Sequence, residues 1–236
     1  FVIININENI LFFGGLIMSY YMDAEKISID DLLNSIIDTD LVPSRKILME
    51  NIQTNFNKLK NNGIITLADL RKALKNQKNI ESLSKKISID NDYLVLLRRE
   101  IESYFPKAFA LTAFDWLDNN QILNLESIGF KNSALLYDGL ESQERIESLI
   151  EKHGFQIDFI NEIFNLVNLT RIQWVNPTFA SMLLNVGFIS PKTVARADAE
   201  ELYNKLDSLN KKEKYFNGKI GLKDIKRLIK AASYVI

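Results

Sequence analysis

Residues 63–101 read GIITLADLRKALKNQKNIESLSKKISIDNDYLVLLRREI, and residues 129–167 read GFKNSALLYDGLESQERIESLIEKHGFQIDFINEIFNLV. The second stretch repeats the first 66 positions further on. Its matched positions are mostly apolar and recur at helical intervals, which predicts a duplicated packing unit of several short helices. The matches include Gly63 with Gly129, residues 80–83 with 146–149, and Lys86 with Lys152. We expect six matched leucines to be buried: Leu70, Leu74, Leu83, Leu136, Leu140 and Leu149.

The composition is that of an ordinary globular protein. Of 236 residues, 47% are hydrophobic and 25% are charged, and a chain of this length can bury two compact cores. No run of about 20 apolar residues occurs, so we expect no membrane contact. The absence of cysteine rules out disulfides, thiolate metal sites and cysteine nucleophiles, and it fits a cytoplasmic protein.

Helix start and stop signals predict an all-α fold of tandem short-helix repeats. Asn176-Pro177 is an N-cap followed by proline at the first helical position, and Gly187 stands where a helix should end. Ser190 before a proline and Asp198 before Glu201 repeat the start signal. No stretch alternates convincingly between apolar and polar residues, as a strand would.

The sequence divides into five predicted segments. We expect residues 1–17 to be an untranslated leader read as protein, because they begin without methionine and Gly14-Gly15 fits a ribosome-binding sequence before Met18. The alternative is a genuine β-prone extension. The other segments are an N-terminal segment (18–42), a first helical unit (43–104), second and third units (105–210), and a basic C-terminal turn and helix (211–236).

Residues 168–180, NLTRIQWVNPTFA, resemble a helix-hairpin-helix unit. Taken with residues 219–226, they resemble a bacterial family of unknown function that is built from such units. The resemblance covers residues 43–236. It implies an all-helical fold and a connection with nucleic acid, but no activity that can be transferred.

The hairpin departs from the usual apolar-x-Gly-apolar-Gly-Pro pattern. Asn176 can replace the second glycine, because asparagine tolerates left-handed geometry and caps helices. Trp174 replaces the first glycine and puts an indole where a phosphate would approach. Two interpretations remain open: a phosphate-binding hairpin, or a turn that only joins two packed helices.

Charge is unevenly distributed although the net charge is −1. Residues 42–86 hold ten basic and three acidic residues, whereas residues 105–170 hold four basic and ten acidic ones. Basic surface is what phosphate binding requires. The candidate nucleic-acid-binding residues are Lys72, Lys75, Lys78, Asn176, Lys219, Lys223, Lys226 and Lys230.

Enzyme chemistry and cofactors are not expected. His153, the one histidine, precedes a glycine at a predicted helix end and suits the helix dipole there. Asp115 and Asp118 are explained by a solvated helix end. Residues 218–221 match a Gly-x-x-Gly loop of RNA-binding domains, but they lack the accompanying sheet and are interpreted as a turn.

Two functions follow from these patterns. The first is a non-enzymatic helical interaction or scaffold module with a protein partner whose identity the sequence does not give. The second is a weak, sequence-independent nucleic-acid-binding protein that uses the hairpins and the basic segments.

Overall fold

The computed structural model describes residues 19–39, 41–140, 142–218 and 220–235. The predicted leader, residues 1–17, lies outside these residues. Within them the chain is helical and contains no strand, which confirms the prediction of an all-α fold. Two single antiparallel bridges, Ser28 with Thr66 and Ala110 with Asn132, are the β-type contacts of this part of the chain.

The N-terminal half begins with α1, whose first turn is closed by a capping box. The Asp31 N–H donates to the Ser28 hydroxyl, 3.0 Å away, and the Ser28 N–H donates to the Asp31 carboxylate. Its elements are α1 (Ile29–Asp38), a 3-10 helix (Pro43–Met49), α2 (Ile52–Asn61), α3 (Leu67–Ala73), α4 (Gln77–Ile87) and α5 (Asn91–Ser103). α5 ends just ahead of Pro106, as the restriction on residues before proline favours.

The C-terminal half continues with two further sets of four helices. These elements are a 3-10 helix (Leu111–Ala113), α6 (Asn119–Ser127), α7 (Ser133–Gly139), α8 (Gln143–His153), α9 (Ile157–Leu169), α10 (Pro177–Asn185), α11 (Pro191–Ala195), α12 (Ala199–Glu213) and α13 (Leu222–Ala232). α13 packs against α11 and α12, and α10 packs against α9. We call α2–α5 unit one, α6–α9 unit two and α10–α13 unit three.

The helix boundaries of units one and two repeat with the sequence. α3, α4 and α5 each recur 66 positions later as α7, α8 and α9, with the same lengths. Five of the six leucines expected to be buried are buried, and Leu83 is half-buried against the same core. The matched residues are therefore core positions of equivalent helices.

One turn recurs in all three units, at the end of the first helix. In unit three, the Gly187 N–H donates to Leu184 O at 3.0 Å and the Phe188 N–H donates to Leu183 O at 2.9 Å. This pair of bonds is a Schellman motif, and Gly187 has φ 92° in it. The equivalent glycines of units one and two, Gly63 and Gly129, also have positive φ.

Two hydrophobic cores result. One joins α1–α5, and the other joins α6–α13. Tyr20 belongs to the second core although it precedes α1, because its hydroxyl lies 3.1 Å from Thr170 Oγ1 and its N–H donates to Asp138. The N-terminal segment thus connects the two cores, and the Gln173 side chain donates to Ser103 Oγ between them.

Candidate interaction groove

An open groove of about 620 Å³ lies in unit three, beside the start of α10 and along α13. Its lining is mainly aromatic and aliphatic, with a few polar side chains at one side. The lining residues are Val42, Trp174, Asn176, Thr178, Phe179, Met182, Tyr215, Phe216, Ile220, Asp224, Ile225, Arg227 and Leu228. Concave apolar surfaces with a few polar groups are the usual form of binding sites.

The hairpin between α9 and α10 places Trp174 at the groove. Ile172 and Val175 are buried on either side of it, and the Val175 N–H donates to Ile172 O at 3.1 Å. Between them Trp174 has φ 70° and 51% of its surface exposed. A left-handed backbone is costly for a bulky side chain, so the buried neighbours and the hydrogen-bonded turn hold this conformation in place.

Asn176 lines the groove and is the N-cap of α10. Its side-chain oxygen accepts the Phe179 N–H at 2.8 Å, and Pro177 occupies the first helical position. The predicted N-cap is therefore observed. The carboxamide oxygen serves the helix itself, which accounts for Asn176 without a ligand.

The two tryptophans of the chain occupy matching turns, 58 positions apart. In both turns the residue after the tryptophan donates its N–H to the carbonyl three residues earlier, at 3.1 Å. An N-cap follows in each case, Asp118 for α6 and Asn176 for α10. Trp116 is 41% exposed, so units two and three each present an indole ahead of their first helix.

The charged groups of the groove are engaged within the chain. Arg227 Nη1 donates to Asp224 Oδ1 at 3.0 Å, and Arg227 Nη2 donates to Leu41 O at 3.5 Å. Lys230, one turn further along α13, lies 3.4 Å from Asp38 and 5.5 Å from the Tyr234 ring. Partial burial of Lys230 acts to lower its pKa, but these two neighbours leave the pKa above its usual value.

Arg171, the basic residue of the hairpin, faces inward. Its guanidinium donates to Tyr137 Oη at 2.6 Å, to Asn168 Oδ1 at 2.9 Å and to Tyr20 O at 3.2 Å. Burial lowers the pKa of Arg171 from its usual range. The hydrogen bonds of the Arg171 guanidinium therefore connect α9, α7 and the N-terminal segment.

The predicted lysines lie on helices of different halves. Lys72 lies in the last turn of α3, Lys75 follows α3, and Lys78 lies in the first turn of α4, all three exposed. Lys223 and Lys226 are exposed on α13, in the other half. Lys219 lies outside the described residues. The two sets of lysines thus lie on helices that pack around separate hydrophobic cores.

The residues singled out for possible chemistry have local roles. Asp118 caps α6 by accepting the N–H groups of Asn120 at 2.8 Å and Gln121 at 3.3 Å. His153 is the last residue of α8 and is exposed. In the part of the chain that the structure describes, no group of three or more His, Cys, Asp or Glu residues could hold a metal ion.

Several groove residues were not identified as site residues from the sequence. Met182 is buried and Phe179 is half-buried on α10, and Tyr215 and Phe216 lie in the segment that is predicted to be a basic turn. Two adjacent aromatic residues after a charged helix end were the available signal.

Among the described residues, no helix is long and apolar enough to cross a bilayer.

Residues 118–234 match the model of a family described as a domain of unknown function (DUF4332). The match begins at the N-cap of α6 and ends just after α13, so it covers units two and three together with the groove's helices. Searches among curated proteins and among solved structures found no match.

Proposed function

We propose that this chain is a non-enzymatic helical interaction module, and that its groove takes up an apolar segment of a partner protein. The observation that carries the proposal is the exposed indole of Trp174 at an aromatic groove. Aromatic side chains dominate the binding energy of protein interfaces, because they bury a large area at a low cost in conformational entropy.

The shape and polarity of the groove favour a peptide segment. The volume of about 620 Å³ is enough for several side chains, and Phe179, Phe216 and Leu228 offer them apolar contact. Asp224 and Arg227 form an ion pair beside this surface. Polar groups at the edge of an apolar centre are the usual arrangement of a transient interface.

The conformation of Trp174 is consistent with a role in binding. Its φ of 70° costs on the order of 1–2 kcal/mol for a residue with a Cβ, and glycine would avoid that cost. Strained residues concentrate at functional sites. We therefore assign the indole, and not the backbone turn, to recognition.

We further propose that α9 and α10 form a hairpin of helix-hairpin-helix type that has been adapted to this role. Support comes from the left-handed Trp174 at the first glycine position and from Asn176 as N-cap at the second. In such a hairpin a bare glycine turn admits a phosphate. An indole at that place favours an apolar ligand instead.

Site-specific photo-crosslinking tests the groove. A benzophenone amino acid at Thr178, which lines the groove and is exposed, should capture a partner protein from the native cell, and mass spectrometry should locate the crosslink in an apolar segment. The matched control is Leu135, which is 48% exposed on α7 and does not line the groove.

Trp174→Ala should abolish the crosslink at position 178 and leave the protein folded. Equal capture from positions 178 and 135, or capture that is unaffected by Trp174→Ala, contradicts the proposal.

The second candidate function is weak, sequence-independent binding of nucleic acid. Its support is the exposed lysines of α3 and α4 and those of α13, since phosphate contacts need exposed cations. The engagement of Arg171 inside the protein and the net charge of −1 favour the interaction module.

A further inference from the structure

Units one and two carry opposite charges at equivalent positions of the same helix. Lys78 and Lys85 are the second and ninth residues of α4, and Glu144 and Glu151 are the second and ninth residues of α8. All four side chains are exposed. Residues seven apart lie on the same side of a helix, so each helix presents a pair of like charges in one direction.

The reversal extends to the preceding helix. Lys72 is the sixth residue of α3, and the sixth residue of α7 is Asp138. The next pair in the sequence is Lys75 with Glu141, of which Glu141 lies outside the described residues. Lys86 and Lys152 are equivalent as well, yet they share one sign. Glu81 and Glu147 are also equivalent and share one sign, so the charge reversal is confined to individual positions, among them Lys78 and Lys85.

Helix electrostatics explains only half of this pattern, because Glu144 in the first turn of α8 and Lys85 in the last turn of α4 suit the helix dipole. Lysine in the first turn of a helix and glutamate in the last turn oppose the helix dipole. Lys78 stands in the first turn of α4, and Glu151 stands near the end of α8. These two charges gain no stabilisation from the dipoles of their own helices.

The described structure also leaves these charges without ion pairs. Among the described residues, none of Lys78, Lys85, Glu144 and Glu151 lies within ion-pair distance of an opposite charge. Glu81, the one acid of α4, accepts a hydrogen bond from Gln77 at 3.0 Å instead. Both faces are thus available to a partner.

We propose that the chain pairs with a second copy of itself, with the lysine face of α4 against the acidic face of α8 of the other copy. A two-fold axis makes this contact twice and closes a dimer. The net charge of −1 imposes little overall repulsion between the copies. This surface involves unit one and unit two, so the inference is independent of the groove.

Sedimentation velocity of the nuclease-treated full-length chain tests the pairing. Exposed ion pairs are individually weak, so we expect half-association at about 0.1 mM protein in low salt. With protein well above that concentration, the mass should approach twice that of one chain at about 0.02 M salt and return to that of one chain at about 0.5 M, because salt screens exposed charges.

A charge-exchange pair of variants gives the sharper result. Lys78→Glu/Lys85→Glu and Glu144→Lys/Glu151→Lys should each remain single chains, whereas an equimolar mixture of the two should associate. Lys86→Glu/Lys152→Glu changes the net charge as much as the first variant, and it should associate like the wild type. Asp138 is left unchanged because its carboxylate accepts the Tyr20 N–H at 2.6 Å.

Circular dichroism establishes that each variant is folded. A wild type that stays a single chain in low salt overturns the proposal, as does a mixture that fails to associate. Association that grows without limit overturns the closed dimer. Association that is present only before nuclease treatment assigns the lysines to nucleic acid instead.

Discussion

Arg45 Nε lies 3.6 Å from Glu100 Oε2 and joins the 3-10 helix (Pro43–Met49) to α5. Only 21% of the Arg45 side chain and 6% of the Glu100 side chain are exposed. Burial raises the pKa of Glu100 above its ordinary value of 4.5, and the opposing effect of Arg45 is smaller. The ionised carboxylate is therefore less favourable in the folded chain than in the unfolded one.

Glu100→Gln should stabilise the protein at neutral pH. A folded-state pKa above the unfolded one means that stability is lost as pH rises from 4.5 through the folded pKa. The variant lacks this loss, so it should unfold at a higher temperature than the wild type at about pH 7. Below about pH 4 both side chains are neutral, and the difference should disappear.

Glu102→Gln is the matched control for that pH series. Glu102 pairs with Arg71 at 3.0 Å, and its side chain is 45% exposed. An exposed pair contributes less than about 1 kcal/mol, so this variant should show no gain at neutral pH. A gain shared by both variants would mean that burial of Glu100 is not its cause.

The helix ends were predictable because their hydrogen bonds are local. Asn176, Ser190 and Asp198 each accept an N–H from the residue three positions later, as their sequence patterns predict. The repeat of 66 positions predicts in addition that the helices of units one and two follow one another in the same order. Burial of the matched leucines followed from their periodicity alone.

The groove was not predictable, because distant segments form it. Val42 reaches the groove from the N-terminal half, and Leu41 O accepts a hydrogen bond from Arg227. No local pattern relates residues so far apart in the sequence. The sequence shows that Trp174 stands where the hairpin pattern has glycine. Its left-handed backbone, however, depends on the burial of its neighbours, which only the folded chain provides.

Leu183→Ala should cost far more stability than His153→Ala. Leu183 is fully buried in the second core, and truncating a buried leucine costs about 2–5 kcal/mol. His153 is an exposed helix end, where its replacement should cost less than about 1 kcal/mol. Urea denaturation measures both free energies of unfolding, and the reverse order would contradict the assigned environments.

Trp174→Gly and Trp116→Gly should differ although the two tryptophans occupy matching turns. Glycine relieves about 1–2 kcal/mol of left-handed strain at position 174, which offsets its own entropic cost of about 0.5–1 kcal/mol. Trp116 is not among the residues with positive φ, and it packs edge-on to Phe114 with the ring centres 5.8 Å apart. We expect Trp116→Gly to be at least about 1 kcal/mol less stable than Trp174→Gly by urea denaturation.

Gly187→Ala tests the backbone of the recurring turn. A Cβ at Gly187 would meet no atom within 4 Å, so the cost comes from φ 92° alone. We expect a loss of about 1–2 kcal/mol in the free energy of unfolding. Gly187→Asn should lose less, because asparagine tolerates left-handed backbone. Equal losses for the two variants would show that steric contact, and not φ, limits this position.

Titration with a fluorescent DNA duplex separates the two proposed functions. We expect weak or no binding at tens of micromolar protein in low salt, on the order of non-specific affinities. The physical reason is that Arg171 is engaged internally and that Asn176 is used in capping α10. Tight binding that falls steeply with salt would instead favour nucleic acid. It should then weaken uniformly across sequences in two lysine-to-glutamate variants, one at Lys72, Lys75 and Lys78 and the other at Lys223 and Lys226.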